Sequence, residues 1–216
     1  MRQKLILISL SLLMTAAITY QSRTISQSWK LDVPAVLDQM DALSGKWEVV
    51  TPDKIKQPVL TQSVKYADFP KALFKDHDFY DFEASVKVYV SSENKDTQSA
   101  GLVLRYRNLY SFYMLFLNTK DKRLTLTRAS LGGLKIVKRI NHDFEPDRWY
   151  QLKVVCNLNH FKIFVDNEKI LEADDSVSTG GKIGLVTAGT SRVYFSDLQV
   201  NTDTIDAQAQ TTSANN

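Results

Sequence analysis

Aromatic and arginine side chains gather around one predicted hairpin, and together these residue types could bind a sugar. Tyr110 lies in the turn, Arg105 precedes it, Tyr113 follows it, and Arg128 lies in the next predicted strand. A sugar ring packs its apolar face on an aromatic ring, while guanidinium groups donate hydrogen bonds to hydroxyl or carboxylate oxygens. The predicted carbohydrate-binding residues are therefore Arg105, Tyr110, Tyr113 and Arg128, with Tyr110 the most exposed. The alternative is that these rings pack in a core and the arginines lie on a sheet surface.

Pairs of carboxylates are the second feature that could do chemistry, because glycoside hydrolysis uses two. Glu145 and Asp147 form one pair, and Glu172 and Asp174 form another. Side chains two apart on a strand lie about 6.5 to 7 Å from each other, whereas a retaining hydrolase needs about 5 to 5.5 Å. The first pair spans Pro146 in a turn, and the second runs from a strand into a loop. We predict that both pairs are solvated and that no residue is catalytic.

Acidic residues cluster at two places, which raises calcium as a ligand. Residues 76–81 include three aspartates, and residues 172–175 include three carboxylates. Calcium is held by carboxylate and carbonyl oxygens of loops, but neither cluster has the spacing of a known calcium loop. His77, His142 and His160 are far apart and show no zinc spacing. No cofactor is predicted, and calcium binding stays as an alternative.

The charge and the cysteine content narrow the class of protein. The 216 residues carry a formal net charge of +3, with both signs interspersed, so no basic stripe predicts nucleic-acid binding. Cys156 is the only cysteine and lies among alternating strand residues, which predicts a buried core side chain rather than a catalytic thiol. A secreted animal domain would carry disulfides more often, so an exported bacterial protein is favoured.

The first residues have the layout of an export signal. Arg2 and Lys4 are followed by a mainly apolar run and then by small residues, which is typical of a secretory signal peptide. We predict that residues 1–19 are a signal peptide or an N-terminal anchor, that residues 20–28 are a linker, and that the polar residues 202–216 form a disordered tail. The protein is then periplasmic or extracellular, and it contacts a membrane only if the N-terminal segment stays uncleaved.

Strand patterns occupy most of residues 29–201, the predicted domain, and these strands must position the candidate side chains. From Asp147 to Asp175, alternation and turn residues predict three consecutive antiparallel strands, with a two-residue turn at Asp166–Asn167. Turn signals recur about every 8 to 12 residues, which predicts a sandwich or jelly roll. Only Asp32 to Leu43 has a helical pattern, with Asp32 as its cap and Gly45 at its end.

A series of short strand and turn motifs runs through this region. They are Gly45–Val49 (GKWEV), Asp81–Ala84 (DFEA), Ala100–Tyr106 (AGLVLRY), Asp147–Tyr150 (DRWY), Gly181–Leu185 (GKIGL) and Tyr194–Leu198 (YFSDL). In order and spacing the chain resembles the concanavalin A-like lectin/glucanase superfamily, and more narrowly its laminin-G-like and 3-keto-disaccharide hydrolase-type domains. The resemblance implies a jelly-roll sandwich of two curved antiparallel sheets, so the expected fold is all-β with one short N-terminal helix. Trp47 and Trp149 stand in motif positions and are predicted to lie in the core.

The resemblance also implies a surface that contacts carbohydrate in many relatives. Glucanases of the superfamily carry Glu-x-Asp-x-x-Glu or Glu-x-Asp-x-Glu on one strand, and neither carboxylate pair here supplies the second Glu. Three functions stay open, in this order: an exported non-catalytic carbohydrate-binding domain, a hydrolase of the 3-keto-disaccharide type, and a structural or adhesive cell-envelope domain that binds protein. The expected partner is an oligo- or polysaccharide, with no nucleic acid, and the expected state is a monomer.

Overall fold

The computed structural model describes residues 17–64, 69–75, 77–93, 98–189 and 191–210. Most of the predicted signal segment, residues 1–16, lies outside this range. The strands are β1 (Ala17–Trp29), β2 (Met40–Ala42), β3 (Trp47–Val50), β4 (Val59–Gln62), β5 (Lys71–Phe74), β6 (Phe82–Val90), β7 (Ser99–Asn108), β8 (Ser111–Asn118), β9 (Arg123–Ser130), β10 (Gly133–Asn141), β11 (Trp149–Asn157), β12 (His160–Val165), β13 (Glu168–Asp174), β14 (Lys182–Thr187) and β15 (Val193–Gln210). A 3₁₀ helix spans Pro34–Gln39. In the part of the chain described, no helix is long and apolar enough to cross a membrane.

The strands form two antiparallel sheets that share one core. The eight-stranded sheet has the order β13-β12-β11-β6-β15-β4-β3, with β1 paired to β15. The seven-stranded sheet has the order β10-β9-β8-β7-β14-β5-β2. Side chains of both sheets, such as Val88 and Leu115, belong to the same buried cluster. The predicted all-β sandwich with a short helix near the N-terminus is therefore confirmed.

The stretch from Asp147 to Asp175 forms three consecutive strands, as its alternation predicts. β11 pairs with β12, and β12 pairs with β13. Asp166 and Asn167 make the tight turn between β12 and β13 with φ angles of +50° and +68°. This left-handed backbone matches the twist of the strands that a two-residue turn joins. Asp166 also accepts a hydrogen bond from the Gln151 amide at 2.8 Å, which ties the turn to β11.

The N-terminal helix is shorter than its pattern predicts. The 3₁₀ helix ends at Gln39 and no side chain caps its start, so the prediction of Asp32 as a cap is wrong. Met40–Ala42 pair with β5 instead, and these sheet hydrogen bonds take the place of further helical ones. Gly45 has a φ of +83°, and a Cβ there would lie 2.9 Å from Cγ of Gln62. Glycine is therefore required by the turn into β3 and not by a helix end.

Strands reach both ends of the part of the chain that the structure describes, and the linker and the tail stay predictions. β1 occupies the predicted linker 20–28, and β15 continues past residue 202 into the predicted tail. Residues 25–202 form one compact unit, and the described residues 17–24 and 203–210 belong to another. Pairing between β1 and β15 satisfies backbone groups that a polar segment would otherwise leave to water.

Core placement is confirmed for Trp47 and Cys156 and is wrong for Trp149. Trp47 is 7% exposed and Cys156 is 1% exposed. Burial raises the pKa of the Cys156 thiol to about 12, so this group stays protonated and unreactive. Trp149 is half-buried with its ring 5.6 Å from that of Tyr89. Its neighbour Tyr150 takes the core face, because successive side chains of a strand point to opposite sides.

The seven-stranded sheet is apolar on both faces. Leu115 and Leu117 of β8 belong to the core between the sheets. Met114 and Phe116 face the other way and join a second buried cluster with side chains of β5, β7, β9 and β14. β8 lies between β7 and β9, so it is an interior strand of the sheet. The outer apolar face forms the base of the candidate site described below.

Substitution of Gly101 tests how closely β7 and β8 approach each other. A Cβ at Gly101 would lie 1.7 Å from the backbone oxygen of Leu115, so Gly101→Ala has to move β7 and β8 apart. We expect the free energy of unfolding to fall by about 3 kcal/mol, measured by urea denaturation. In the control Gly132→Ala, the nearest atom is Oγ of Ser130 at 3.9 Å, and we expect a change within about 0.5 kcal/mol. Equal stability of the two variants would contradict the close approach.

Candidate functional site

A groove runs over the outer face of the seven-stranded sheet, the face turned away from the core. Its volume is about 410 Å³. Strands β7 to β10 supply most of its lining, and loops supply the rest. The lining residues are Phe69, Gln98, Ser99, Met114, Phe116, Asn118, Lys120, Asp121, Arg123, Thr125, Thr127, Leu134, Ile136, Arg139 and Ala188.

The floor of the groove mixes apolar and hydroxyl side chains. Met114 lies opposite Thr127, and Phe116 lies opposite Thr125, in the pairing of β8 with β9. None of these four side chains is more than 8% exposed. Phe69 packs on Phe116 with ring centroids 5.3 Å apart and extends the apolar area. Such a surface can pack on the face of a sugar ring and hydrogen-bond to its hydroxyls.

One wall of the groove is the exposed strand β10. Leu134 and Ile136 line it and are 49% and 45% exposed. A β-bulge then interrupts the pairing with β9 between Ile136 and Lys138. A bulge inserts one residue, here Val137, and so reverses which side chains face each way. As a result Arg139, and not Lys138, lines the groove.

Arg123 and Asp121 form an ion pair in the groove. Arg123 Nη2 is 2.6 Å from Asp121 Oδ2, and Nδ2 of Asn118 donates a hydrogen bond to the same oxygen at 3.2 Å. The Asp121 amide donates in turn to Oδ1 of Asn118 at 2.7 Å. Among the described residues that line the groove, Asp121 is the only carboxylate and none is a histidine. The Arg123 and Asp121 side chains are 34% and 40% exposed, so water and salt screen the pair.

The structure places Arg105 inside the protein and away from the groove. Its side chain is fully buried, and its guanidinium donates to the carbonyl oxygens of Leu158 at 2.7 Å, Tyr80 at 2.9 Å and Ser178 at 3.1 Å. Its Cζ atom lies 5.2 Å from the centroid of the Phe161 ring. Arg105 has a left-handed φ of +53° where the pairing of β7 with β8 shifts register. The side chain therefore enters the space between three loops.

Tyr113 and Arg128 meet at Asp175, and we name these three side chains the Asp175 cluster. The Tyr113 hydroxyl donates to Asp175 Oδ1 at 2.7 Å, and Arg128 Nη1 lies 2.8 and 3.1 Å from the two carboxylate oxygens. Burial raises the pKa of Tyr113 to about 12, and the hydrogen bond to Asp175 adds to the rise. Burial works against the charge of Asp175, but hydrogen bonds from Tyr113 and Arg128 outweigh it and hold the pKa of that carboxyl below its ordinary value.

The Asp175 cluster connects two strands of the seven-stranded sheet to the end of the eight-stranded sheet. Tyr113 and Arg128 belong to β8 and β9 of the seven-stranded sheet, whereas Asp175 directly follows β13, which ends the eight-stranded sheet. The Ser178 amide donates to the Tyr113 hydroxyl at 3.3 Å, so the cluster also holds the loop between β13 and β14. Its side chains do not line the groove.

Tyr110 is the exposed member of the predicted set. It is 55% exposed in the turn between β7 and β8, where its amide donates to Oδ1 of Asn108 at 2.9 Å. It does not line the groove. The four predicted residues are therefore distributed over three places: the Asp175 cluster, the loops around Arg105, and this turn.

Sequence reasoning missed the groove residues, although one signal for them was present. The two faces of β8 are both apolar in the sequence, which requires the outer face to be covered or to line a site. Thr125 and Thr127 could not be placed beside that face, because their position depends on the register between β8 and β9. The bulge at Val137 has no glycine or turn-forming residue beside it in the sequence, because Ile136, Val137 and Lys138 form an ordinary strand pattern.

The acidic clusters that raised calcium do not converge. Glu172 and Asp174 flank His160, with oxygens 2.6 and 2.7 Å from its ring nitrogens. Asp175 instead bonds to Tyr113 and Arg128 in the Asp175 cluster. Asp81 accepts a hydrogen bond from the Leu158 amide at 2.7 Å, and Asp76 lies outside the described residues. Across the described ranges, no three or more potential ligands come together to hold a metal ion.

A known family matches the greater part of the chain. The family model of the 3-keto-alpha-glucoside-1,2-lyase-like domain matches residues 37–201, which include β2 to β14 and the start of β15. Among curated proteins, none is similar enough in sequence to count as a match.

Solved structures share the fold at low sequence identity. The carbohydrate binding module CBM66 from Bacillus subtilis has a TM-score of 0.64 and 16% identity, over 74% of this chain and 94% of that one. A protein with a galectin-like fold from Bacillus subtilis has a TM-score of 0.61 and 15% identity, over 86% and 99%. The transglycosylase Crh5 has a TM-score of 0.57 and 10% identity, over 81% and 83%. The predicted jelly-roll sandwich and the predicted resemblance to 3-keto-disaccharide hydrolase-type domains are confirmed.

Asp175→Asn tests the Asp175 cluster, because it removes the charge with little change in shape. The folded-state pKa of Asp175 lies below its ordinary value, so the carboxylate stabilises the fold above about pH 4 and this stability is lost as pH falls through the folded pKa. We expect the variant to lose about 2 kcal/mol at neutral pH, with the gap to wild type narrowing in acid. Urea denaturation near pH 7 and near pH 3 measures both.

Asp174→Asn is the matched control for this experiment. Its side chain is 77% exposed and contacts only the half-exposed His160, so we expect the same denaturation midpoint as wild type at neutral pH. Equal losses in the two variants would contradict a specific role for the Asp175 cluster.

Proposed function

We propose a carbohydrate-binding function for this chain, which belongs to the 3-keto-alpha-glucoside-1,2-lyase-like domain family. The binding site is the groove, and the observation that carries this proposal is its floor. Met114 and Phe116 lie across the strands from Thr127 and Thr125. The apolar side chains suit the C–H face of a pyranose ring, and the hydroxyl side chains suit the ring's own hydroxyls. A volume of about 410 Å³ lies within the range of small-ligand sites.

The related proteins support a saccharide ligand. The family is named for chemistry on an α-glucoside, and the Bacillus subtilis module of the same fold is named as carbohydrate binding. The transglycosylase Crh5 places an enzyme on the same fold, so the fold alone does not choose between binding and catalysis. That choice rests on the side chains of the groove.

The shortage of acids in the groove favours binding without hydrolysis. Among its described lining residues, Asp121 is the sole carboxylate, and it is paired with Arg123. Glycoside hydrolysis uses two carboxyl groups, one on each side of the scissile bond. Neither Glu145 nor Glu172, the acids of the two sequence pairs, lines the groove. The described residues of the groove therefore supply one carboxylate and not the two that hydrolysis needs.

A lyase is the second candidate, favoured by the presence of Asp121. A 3-keto group makes the proton on the neighbouring C2 acidic. Elimination then needs one base to take this proton. The C–H electron pair forms a C1–C2 double bond as the C1–O bond breaks, and the oxygen that leaves takes up a proton to give an alcohol. Asp121 could act as this base if a bound ligand drew Arg123 away from it.

We also propose that the chain is exported, which would bring the groove to glycans outside the cytoplasm. Arg2 and Lys4 with the apolar run after them support export. Cys156 is a free and buried thiol, so the domain depends on no disulfide. Cleavage of residues 1–19 and retention of them as an anchor would both leave the domain in the periplasm or outside the cell.

Phe69→Ala tests the groove as the binding site. Phe69 lines the groove and packs on Phe116, so its removal takes away apolar area that a sugar ring would contact. We expect the affinity to fall about tenfold, measured by calorimetry with a glycan that binds the full chain on an array. Thermal unfolding of the variant separates lost binding from lost fold.

Tyr110→Ala is the control for this variant. It removes a ring that is 55% exposed but lies outside the groove, so the affinity should not change. Loss of binding in Tyr110→Ala with full binding in Phe69→Ala would move the site to the turn between β7 and β8.

Turnover distinguishes the two candidate functions. We expect the full chain to release no alcohol from a 3-keto-α-glucoside above the rate in buffer, because Asp121 is held by Arg123. Chromatography of the reaction mixture measures this release. Turnover that disappears in Asp121→Asn and persists in Asp143→Asn would replace binding by the lyase function. Asp143 is a suitable control because it is 78% exposed and pairs with Lys122 outside the groove.

A further inference from the structure

We propose that the ligand of the groove is an acidic saccharide and that Arg139 binds its carboxylate. This inference rests on the proposed function, since it names the class of sugar that the same groove binds. Three observations carry it: the bulge that brings Arg139 into the groove, the pairing of the other lining arginine, and the apolar wall beside Arg139.

Because of the bulge in β10, the groove is lined by Arg139 and not by Lys138. Leu134 and Ile136 line the groove, and strict alternation would bring Lys138 next to them. The interruption between Ile136 and Lys138 brings in Arg139 instead. The exchange matters because a guanidinium is a planar fork of five N–H donors that matches a carboxylate, whereas an ammonium is a compact point charge.

Arg139 carries an unpaired charge within the groove. Arg123, the other lining arginine, lies 2.6 Å from Asp121, whereas no carboxylate of the described residues pairs with Arg139. An arginine side chain stays charged at any physiological pH. Its counter-charge therefore does not come from a described residue, and a ligand carboxylate would supply it with two parallel hydrogen bonds.

The surroundings of Arg139 match the layout of a uronic acid. Arg139 lies opposite Thr125 of β9, and Arg123 is two residues before Thr125 on that strand. The two arginines are thus diagonal neighbours, about 7 to 8 Å apart at their Cα atoms, a distance that long side chains can bridge. Ile136 adds exposed apolar area on the same wall. A uronate ring presents an apolar face, edge hydroxyls and one carboxylate, which correspond in turn to the floor, the threonines and Arg139.

The test uses pairs of probes that share a backbone and differ only in charge. Tetragalacturonate is compared with its full methyl ester, and mannuronate and glucuronate oligomers are compared with their esters, by calorimetry on the full chain. We expect the acidic member of at least one pair to bind about tenfold more tightly than its ester. Added salt should narrow the difference, because part of it is electrostatic.

Two variants of adjacent residues assign the effect. Arg139→Gln should bind acid and ester alike, whereas Lys138→Gln removes the same charge outside the groove and should keep the preference for the acid. A preference that survives in Arg139→Gln, or that is lost equally in both variants, would overturn the role of Arg139. Equal binding of acid and ester by the wild-type chain would overturn the acidic ligand and leave saccharide binding intact. Binding of no probe, charged or neutral, would overturn both.

Discussion

The seven-stranded sheet has to keep apolar side chains from water on two faces, and the rest of the structure follows from this constraint. Its inner face packs on the other sheet through side chains such as Leu115. Its outer face holds Met114 and Phe116, which would form an open apolar patch if nothing bordered them. Phe69 covers part of Phe116, and β10 and the loops border the remainder. The outer face is thereby a groove with a largely apolar floor, a shape that suits a flat amphipathic ring.

Arginine side chains hold loops in this protein, and the same side chain could bind a ligand elsewhere, so the residue type alone does not predict its role. Arg105 gives three hydrogen bonds to backbone carbonyls, and Arg128 pairs with Asp175. A buried guanidinium is costly unless its donors are satisfied, and here the Nε atoms of both side chains remain without a partner. The fork that would bind a sugar carboxylate thus binds the chain itself. Residue type and spacing cannot tell whether the acceptor is a ligand or a loop.

Local rules predicted what depends on local structure. Alternation placed β11, β12 and β13, and Asp166–Asn167 marked their turn, because side-chain direction and turn geometry are set within a few residues. The length of the N-terminal helix and the burial of Trp149 were mispredicted, because pairing with distant strands decided both. Met40–Ala42 pair with β5, and Trp149 pairs with Tyr89 on the face of the eight-stranded sheet that is turned away from the core. The positions of the groove residues depend on the register between distant strands. The sequence therefore indicated the groove only through the two apolar faces of β8.

The floor and the wall of the groove are subject to different physical constraints. In the proposed site, this difference would separate recognition of a sugar ring from choice among sugars. Floor side chains are at most 8% exposed, so a change there alters the packing of a central strand. β10 is the edge strand of its sheet. A bulge there interrupts hydrogen bonds to one neighbouring strand only, so an inserted residue costs little stability. Val137, the inserted residue, still packs against the core. One irregularity in an edge strand can therefore change the cation offered to a ligand while the floor that accepts the ring stays intact.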